Sequence, residues 1–429
     1  MLGNLKEVFF FPVAFYFAFF AKIQLKKWAP KIVVVTGSSG KTTLFSMIDA
    51  QINERAHFSH HANSAIGVPF DILDLHRTTL KLYEWPMLFL KTPFRAFKKP
   101  YEEKLYIVEC DADRPGEGKF LAGLLQPDIT LWVSVSRTHS MNFDKLVPEK
   151  FKNVDEAIAY EFGHFLERTS ELCIIDGDNK YIESQKQRTQ AEIREVHMQD
   201  LEGYEVNKEG TEFTVKKDAA KHAVYRFKAL HPKEIFYSIE MTRILCEHLQ
   251  ITFDPLFKRL ALPPARSSLF RGIKNITIVD STYNANLASM RAIMGMFKMY
   301  PSKIKWAVVG DMLEQGKEEE EEHEKLADEI LQLDVKRVVL LGPRTRKSTY
   351  PILQKKLPKD VPVNSFESPK EVLDFLLSHI HGGETILFKG ARFLEGVIEN
   401  LLLDKREKKL LSRREKVWEE RRRKWGLVN

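Results

Sequence analysis

The chain has 429 residues, 44% hydrophobic and 29% charged. That composition excludes a disordered segment and is too long for one typical core, so two or more domains are expected. Cys110, Cys173 and Cys246 are far apart and lack metal-ligand spacing, which excludes a disulfide framework and favours a reducing cytosolic setting. The net charge of +7 sits wholly at the C-terminal end. Residues 405–429 hold eleven Lys/Arg against four Glu, and 55 of each sign remain before them.

The first feature along the chain is Val8 to Ala21 (VFFFPVAFYFAFFA), an unbroken apolar run followed by Lys22, Lys26, Lys27 and Trp28. As a helix it reaches about 21 Å, short of a hydrocarbon core of about 30 Å. Leu5, Ile23 and Leu25 extend the apolar surface, the lysines can snorkel, and Pro12 kinks the helix or marks its start. Residues 1–30 are expected to form a membrane anchor or interfacial helix, with the rest of the chain at the cytoplasmic face of the cell membrane.

Ile32 to Val35 reads as a buried strand, and Leu44 onward as a helix. Between them lies Thr36-Gly37-Ser38-Ser39-Gly40-Lys41-Thr42-Thr43. Such a turn aims backbone N–H groups and the positive end of a helix dipole at one point, and polyphosphate is its usual occupant. Gly37 and Gly40 let the backbone approach closely. Lys41 can reach the β- and γ-phosphates, and the Thr42 hydroxyl can ligate Mg²⁺. ATP and Mg²⁺ are the cofactors expected.

Helix and strand patterns then alternate, as in α/β domains. Leu105 to Glu109 is a strand whose final acid stands where phosphate-loop enzymes place a Mg²⁺ ligand. Ile129 to Val135 is a strand leading into Thr138-His139, and a histidine beyond a strand C-terminus in an open sheet faces the ligand crevice. Asn153 to Leu166 is a helix, Leu172 to Ile175 a strand, Glu192 to Leu230 a set of short antiparallel strands, and His231 to Leu249 a helix.

Pro263-Pro264 marks a linker. Beyond it, strands are expected at Ile276–Val279, Trp306–Val309, Val335–Leu341 and Thr385–Phe388. Helices are expected at Ser289–Met299, Glu318–Leu331 and Pro369–Ser378. Asp280 to Asn286 (DSTYNAN) is dense in groups that hydrogen-bond a ribose or base. The basic tail, 405–429, reads as helical and is either a solvated terminal helix or, with Trp418 and Trp425 among its cations, a contact for anionic lipid. No nucleic-acid module accompanies it, so nucleic acid is not an expected partner.

These segments together resemble the Mur ligase family of ATP-dependent amide ligases. The nearest branch is the one that adds D-alanyl-D-alanine to the UDP-muramoyl tripeptide in peptidoglycan synthesis. The resemblance rests on TGSSGKTT at Thr36–Thr43, NSAIGVPFDIL at Asn63–Leu73, VECDADRPGE at Val108–Glu117 and Thr138-His139. It continues through STYNAN at Ser281–Asn286, GDMLEQG at Gly310–Gly316 and FKGAR at Phe388–Arg392. It implies an α/β architecture: a central phosphate-loop ATPase domain with a mostly parallel sheet at 31–262, and a C-terminal Rossmann-like domain at 263–404.

The resemblance also implies a chemistry. ATP phosphorylates a carboxylate acceptor, an amino acid or dipeptide amine attacks the acyl phosphate, and amide and phosphate leave. Lys41, with Mg²⁺ on Thr42 and Glu109, would neutralise the transferring phosphoryl group, and His139 would hold a second Mg²⁺. Arg266, Asp280, Tyr283 and Asn284 would contact the nucleoside. Asn63, Asp311, Lys389 and Arg392 would face substrate. Domain closure would exclude water.

Three departures qualify the expectation. Only about thirty residues precede the loop, where the branch carries a UDP-binding domain, so a membrane-bound or differently tagged acceptor is expected. Phe162 stands where the family has a carbamylated, metal-ligating lysine, leaving Glu161 or His164 as substitutes. Ser281 and Ala391 replace a usual Asp and Ser. The competing functions are a membrane-anchored polyglutamate-synthase-like ligase and a nucleotide-binding, non-catalytic scaffold of cell-wall assembly.

Overall fold

The computed structural model describes residues 2–60, 62–77, 81–218 and 221–427, with side chains from Phe9 onward except those of Leu82, Pro148, Glu149, Lys217, Asp218 and Lys221. Leu5 and Val8 of the apolar run, as side chains, and Val428 and Asn429 of the tail lie outside the described residues. Two compact units are present. One comprises the chain through Met198 together with Tyr237–Leu260; the other comprises Gln199–Phe236 and the chain from Ala261 onward.

The first unit carries a six-stranded parallel sheet in the order β2-β3-β1-β4-β5-β6. Its strands are β1 (Lys31–Thr36), β2 (His57–Phe58), β3 (Leu105–Cys110), β4 (Ile129–Trp132), β5 (Leu172–Asp176) and β6 (Glu192–Val196). A parallel sheet is covered on both faces, so its central strands read as continuous apolar runs. KIVVVT and LCIID in β1 and β5 do so and are buried nearly throughout.

The helices around this sheet are α1 (Leu2–Trp28), α2 (Lys41–Ile52), α3 (Gly67–Ile72), α4 (Trp85–Ala96), α5 (Glu117–Leu125), α6 (Val147–Lys150), α7 (Val154–Arg168), α8 (Lys180–Glu183) and α9 (Ile235–His248). α1 runs unbroken through Pro12, which stays on its exposed face. Its opposite face, with Phe17, Ala21 and Trp28, is part of the unit's core.

Three expected boundaries shift. β4 ends at Trp132 rather than Val135, because Ser134 turns to bind the loop after β1. Glu192–Val196 is not antiparallel but pairs in parallel with β5. The antiparallel strands are β7 (Leu201–Asn207), β8 (Gly210–Asp218) and β9 (Lys221–Phe227), which form a separate three-stranded sheet. Val206 and Leu230 share a core cluster with Met290 and Phe297, so this sheet belongs to the second unit.

The second unit's main sheet has the order β10-β11-β15-β12-β13-β14. Its strands are β10 (Ser268–Arg271), β11 (Thr277–Ser281), β12 (Lys305–Gly310), β13 (Arg337–Leu341), β14 (Val363–Phe366) and β15 (Thr385–Lys389). All pairs are parallel except β10 with β11. Its helices are α10 (Leu287–Met299), α11 (Glu319–Leu331), α12 (Tyr350–Lys356), α13 (Pro369–His379), α14 (Leu394–Leu401) and α15 (Lys416–Lys424).

The basic tail is helical in two pieces, a 3₁₀ turn over Lys405–Leu410 and then α15, and is docked rather than solvated. Leu411 and Leu427 are buried, Arg414 pairs with Glu399 at 2.5 Å, and Arg413 pairs with Glu395 at 3.4 Å. Trp418 and Trp425 lie against Phe393, with ring centroids 6.2 and 6.5 Å away.

The packing of α1 makes a contrast that can be measured. Phe17 is fully buried and Phe15 mostly exposed. Phe17→Ala should cost about 3–5 kcal/mol, and Phe15→Ala no more than about 0.5 kcal/mol. Urea unfolding of the full chain, read at its first transition, checks this; equal effects would mean that α1 is not seated on the unit.

Candidate functional site

β3, β1 and β4 lie side by side in parallel, with Val35 opposite Glu109 and Thr36 opposite both Cys110 and Trp132. Their C-terminal ends therefore open at one edge, where an open α/β sheet binds ligands. The turn after β1 is fixed from the neighbouring strand. Ser38 N–H donates to Ser134 O at 3.0 Å, Ser39 N–H donates to Ser134 Oγ at 2.9 Å, and Ser134 Oγ donates to Ser39 O at 2.7 Å. Gly37 has a φ of +133°, and a Cβ there would meet Ser134 N and O at 2.9 Å. Both conformation and space demand glycine.

Gly40 (φ +85°) turns the chain into α2, whose first turn leaves the N–H groups of Lys41, Thr42 and Thr43 without intrahelical acceptors. Ser38 Oγ is buried with no hydrogen-bond partner among the described residues. Lys41 is buried, and its Nζ donates to Gly37 O at 2.5 Å and pairs with Asp111 at 2.9 Å. Burial works to lower its pKa, but the charges of Asp111 and Glu109 outweigh it and hold the ammonium form.

Thr42 Oγ1 lies 3.3 Å from Glu109 Oε1. Asn63 Nδ2 donates to Asp111 Oδ2 at 3.1 Å and its carbonyl accepts from Asp111 N–H at 2.7 Å, which joins the Asn63 segment to the same edge. His139, in a left-handed turn with φ 52°, has Nε2 3.5 Å from Asp113 Oδ1. Burial, reinforced by Asp111, pushes the Asp113 carboxyl up to about 6, against the pull of His139 and Lys41. One cation, one imidazole, three carboxyl groups and two hydroxyls thus surround the amino end of α2. That arrangement can hold an anion and a hard cation together.

The second unit gathers its candidates in the same way, at the C-terminal ends of β11, β15 and β12. Asp280 is buried; its Oδ1 accepts from Thr282 N–H at 3.0 Å and Thr282 Oγ1 at 2.7 Å, while Oδ2 has no partner among the described residues. Burial raises its carboxyl to about 6. Lys389 is buried and donates to Asn284 O; burial and then Arg266 lower its ammonium to about 7. The Arg266 guanidinium sits 4.9 Å over the Tyr283 ring.

Asp311 and Arg392 bind each other at 3.2 Å. Asp311 is fully buried and also accepts from Thr345 N–H and Oγ1 at 3.0 and 3.2 Å. This pair braces the loops after β12 and β15.

Two family models match the chain, the Mur ligase middle domain over 35–242 and the Mur ligase glutamate ligase domain over 265–392. The chain belongs to the Mur ligase family. Among curated relatives, the UDP-N-acetylmuramoyl-tripeptide–D-alanyl-D-alanine ligase of Bacillus subtilis is 24% identical over 404 residues, covering 89% of this chain and 78% of that protein. The enzyme of the same name from Rickettsia prowazekii is 31% identical over 133 residues, which is 31% of this chain and 28% of that protein.

The fold is that of the MurF ligase of Thermotoga maritima in complex with ADP. The TM-score is 0.71 at 20% identity, over 90% of this chain and 83% of that one. The folylpolyglutamate synthase of Mycobacterium tuberculosis, complexed with ADP, shares the fold more distantly, with a TM-score of 0.58 at 11% identity over 89% and 92%.

The two substitutes considered for the Mur lysine are engaged elsewhere. Phe162 is buried against Trp132, with ring centroids 6.1 Å apart, so that position is core. Glu161 accepts from Gly116 N–H at 2.9 Å and faces the N–H groups of Gly118 and Lys119, capping α5. His164 lies 3.0 Å from Glu167 and 2.9 Å from Arg188. The carboxylate beside His139 is Asp113.

Asp111 and Asp113 were not among the residues singled out from sequence, although they lie inside the quoted VECDADRPGE. The available signal was two further acids at positions two and four past Glu109. Ser134 was hidden inside an apparent strand. Among the described residues no three His, Cys, Asp or Glu side chains converge as a protein-only metal cage. Mg²⁺ does not need one, since it takes one or two protein oxygens and completes its shell with phosphate and water. The oxygen-rich pairing of Thr42 and Glu109 and the orphaned Ser38 hydroxyl fit that mode.

Lys389 supplies a pH test. Its folded pKa of about 7 lies below the ordinary 10.5, so between those values the unfolded chain holds a proton that the folded chain lacks. Its contribution to stability therefore rises with pH across that window. Lys389→Met should flatten the rise relative to the parent chain in urea unfolding measured across it. Identical pH profiles would mean that the ammonium is hydrated and ordinary.

Proposed function

We propose that this chain is an ATP-dependent carboxylate–amine ligase that works through an acyl phosphate, with chemistry like that of the D-alanyl-D-alanine-adding enzymes named above. The observation that carries the reading is the meeting of Thr42 and Glu109 at 3.3 Å beside the buried, charged Lys41. The γ-phosphoryl group of ATP passes to a substrate carboxylate oxygen and ADP leaves. An amine nitrogen then attacks the acyl carbon, loses a proton, and expels phosphate as the amide forms.

In this reading Lys41 leaves Asp111 for the β- and γ-phosphate oxygens, and the free N–H groups of α2 point at the same oxygens. Mg²⁺ held by Thr42 and Glu109 would supply further charge neutralisation there. His139 and Asp113 stand ready to hold a second cation near the acceptor carboxylate. In the second unit we assign Arg266, Asp280, Tyr283 and Asn284 to the nucleoside and Lys389 to the amine substrate. Asp311 and Arg392 act by bracing the loops after β12 and β15, the second of which directly follows Lys389.

The purified full chain, given ATP and panels of carboxylate acceptors and amines, should release ADP and phosphate and yield a new amide by mass. Lys41→Met should cut turnover by about 100-fold or more, the scale of losing one charge-stabilising group. Chain extension with glutamate as the amine would favour the polyglutamate-type alternative. ATP binding without amine-dependent turnover for any acceptor would overturn ligation in favour of a scaffold.

A second measurement separates the acids. Mn²⁺ binding in the presence of ATP, read by electron paramagnetic resonance, should weaken about tenfold in Asp113→Asn. It should be unchanged in Glu161→Gln, which should lose about 1 kcal/mol of stability as a weakened helix cap. The reverse pattern would place Glu161 at the metal.

A further inference from the structure

By length and composition, Phe9–Trp28 of α1 is the one described helix able to cross a membrane. Its contacts oppose that role. Phe17, Ala21 and Trp28 are fully buried in the first unit. Trp28 Nε1 donates to Glu103 O at 2.6 Å, and Tyr16 OH donates to Phe89 O at 2.8 Å. Crossing a bilayer would strip these bonds and open the core.

What α1 leaves outward is an apolar stripe, and α4 carries a second one beside it. Phe9, Phe15 and Phe19, with Leu90, Phe94 and Phe97, are between 56% and 79% exposed. Leu88, Thr92 and Ala96 on the other side of α4 are buried, so the exposure belongs to one face and not to a loose helix. The helices are locked together: the Tyr16 and Phe17 rings pack on Phe89 at 4.9 and 5.1 Å, and Lys27 Nζ lies 6.0 Å over Phe97 while donating to Lys98 O at 2.9 Å. The stripes therefore adjoin. An apolar surface of this kind on a folded unit marks an interaction site.

Charge identifies the occupant. Phe9–Trp28 and Trp85–Lys99 contain lysines and one arginine and no acid at all. Arg95 is turned to Asp74, and Lys98 reaches the same carboxylate at 4.0 Å while staying largely exposed; Lys22, Lys26 and Lys91 also stand exposed around the rings. A second copy of the same face would bring cation against cation. Phenylalanine and leucine ringed by snorkelling lysines match the headgroup and acyl boundary of an anionic bilayer.

We propose that α1 and α4 together form a face on which the first unit lies in the surface of an anionic membrane, with α1 in the plane of that surface. The claim is independent of the ligase reading. The test is flotation of the full chain with vesicles of phosphatidylcholine, alone or mixed with phosphatidylglycerol. The parent should float with the mixed vesicles, weakly with the neutral ones, and be released by high salt with alkaline carbonate. Leu90→Asp/Phe94→Asp should lower vesicle affinity by about tenfold or more, and Lys91→Glu/Lys98→Glu similarly. These residues are exposed, so a urea-unfolding midpoint unchanged from the parent reports that each variant is folded.

Unchanged flotation of both α4 variants would overturn the proposal in favour of α1 acting alone. Resistance of the parent to carbonate extraction would overturn it in favour of a spanning helix. Absence of flotation, with the parent dimeric and Leu90→Asp/Phe94→Asp monomeric, would overturn it in favour of an interface between copies.

Discussion

Lys41 is a cation with almost no water around it, and the geometry of the first unit is arranged to keep it charged. Its ammonium is held between the Gly37 carbonyl and the Asp111 carboxylate. Glu109 and Asp113 add to the same field. That field exists only because β1 lies between β3 and β4, so the acids after β3 and the serines after β4 reach the same turn. Ser134 fixes the turn by occupying the N–H groups of Ser38 and Ser39, and Gly37 is the residue that tolerates how close Ser134 comes. An anion entering here replaces one negative partner of Lys41 with another, so the charge is not left unpaired at any point in the exchange.

Much of this was legible in the amino-acid sequence. Runs such as KIVVVT and LCIID admit no reading other than buried strands. A glycine-bearing turn between one of them and a helix fixes where the phosphate edge must be. Loop pairings were not legible. Ser134 reads as part of an apolar strand, because LWVSV is apolar at every other position; only the position of the neighbouring turn reveals that the strand stops at Trp132. Asp111 and Asp113 were visible as letters, but which of several acids faces a given cation depends on the curl of a loop. The short edge strands β10 and β14 and the parallel placement of Glu192–Val196 were missed for a related reason. Edge strands are half exposed, and their composition does not distinguish them from hairpins.

The absent metal-site lysine has a physical explanation in the packing. Phe162 fills the space against Trp132, while its neighbour Glu161 turns to the N–H groups that open α5. Gly118 allows this approach, since a Cβ there would fall 2.2 Å from Glu161 O. α7 is thus tied to α5 through its own backbone and one carboxylate, and it has no side chain to spare for a cation. The acid nearest His139 comes instead from the loop after β3, the same loop that supplies Asp111. The negative charge facing Lys41 and His139 is thus concentrated on one loop.

That loop is also where α1 meets the candidate site. Phe10 lies under the Arg114 guanidinium at 3.9 Å, and Phe11 approaches the position a Cβ would take on Gly116. Arg114 directly follows Asp113, and Gly116 supplies an N–H to Glu161. One face of α1 therefore closes the core, its N-terminal part touches the loop that carries the acids, and its outward stripe of phenylalanines remains open. A helix chosen for bilayer affinity alone would have no reason to present alanines at 14, 18 and 21 to a protein core. A core helix alone would have no reason to keep Phe9, Phe15 and Phe19 in water. α1 carries apolar residues on both its buried and its exposed face, and this is why its run reads as unbroken although only one face of it is buried.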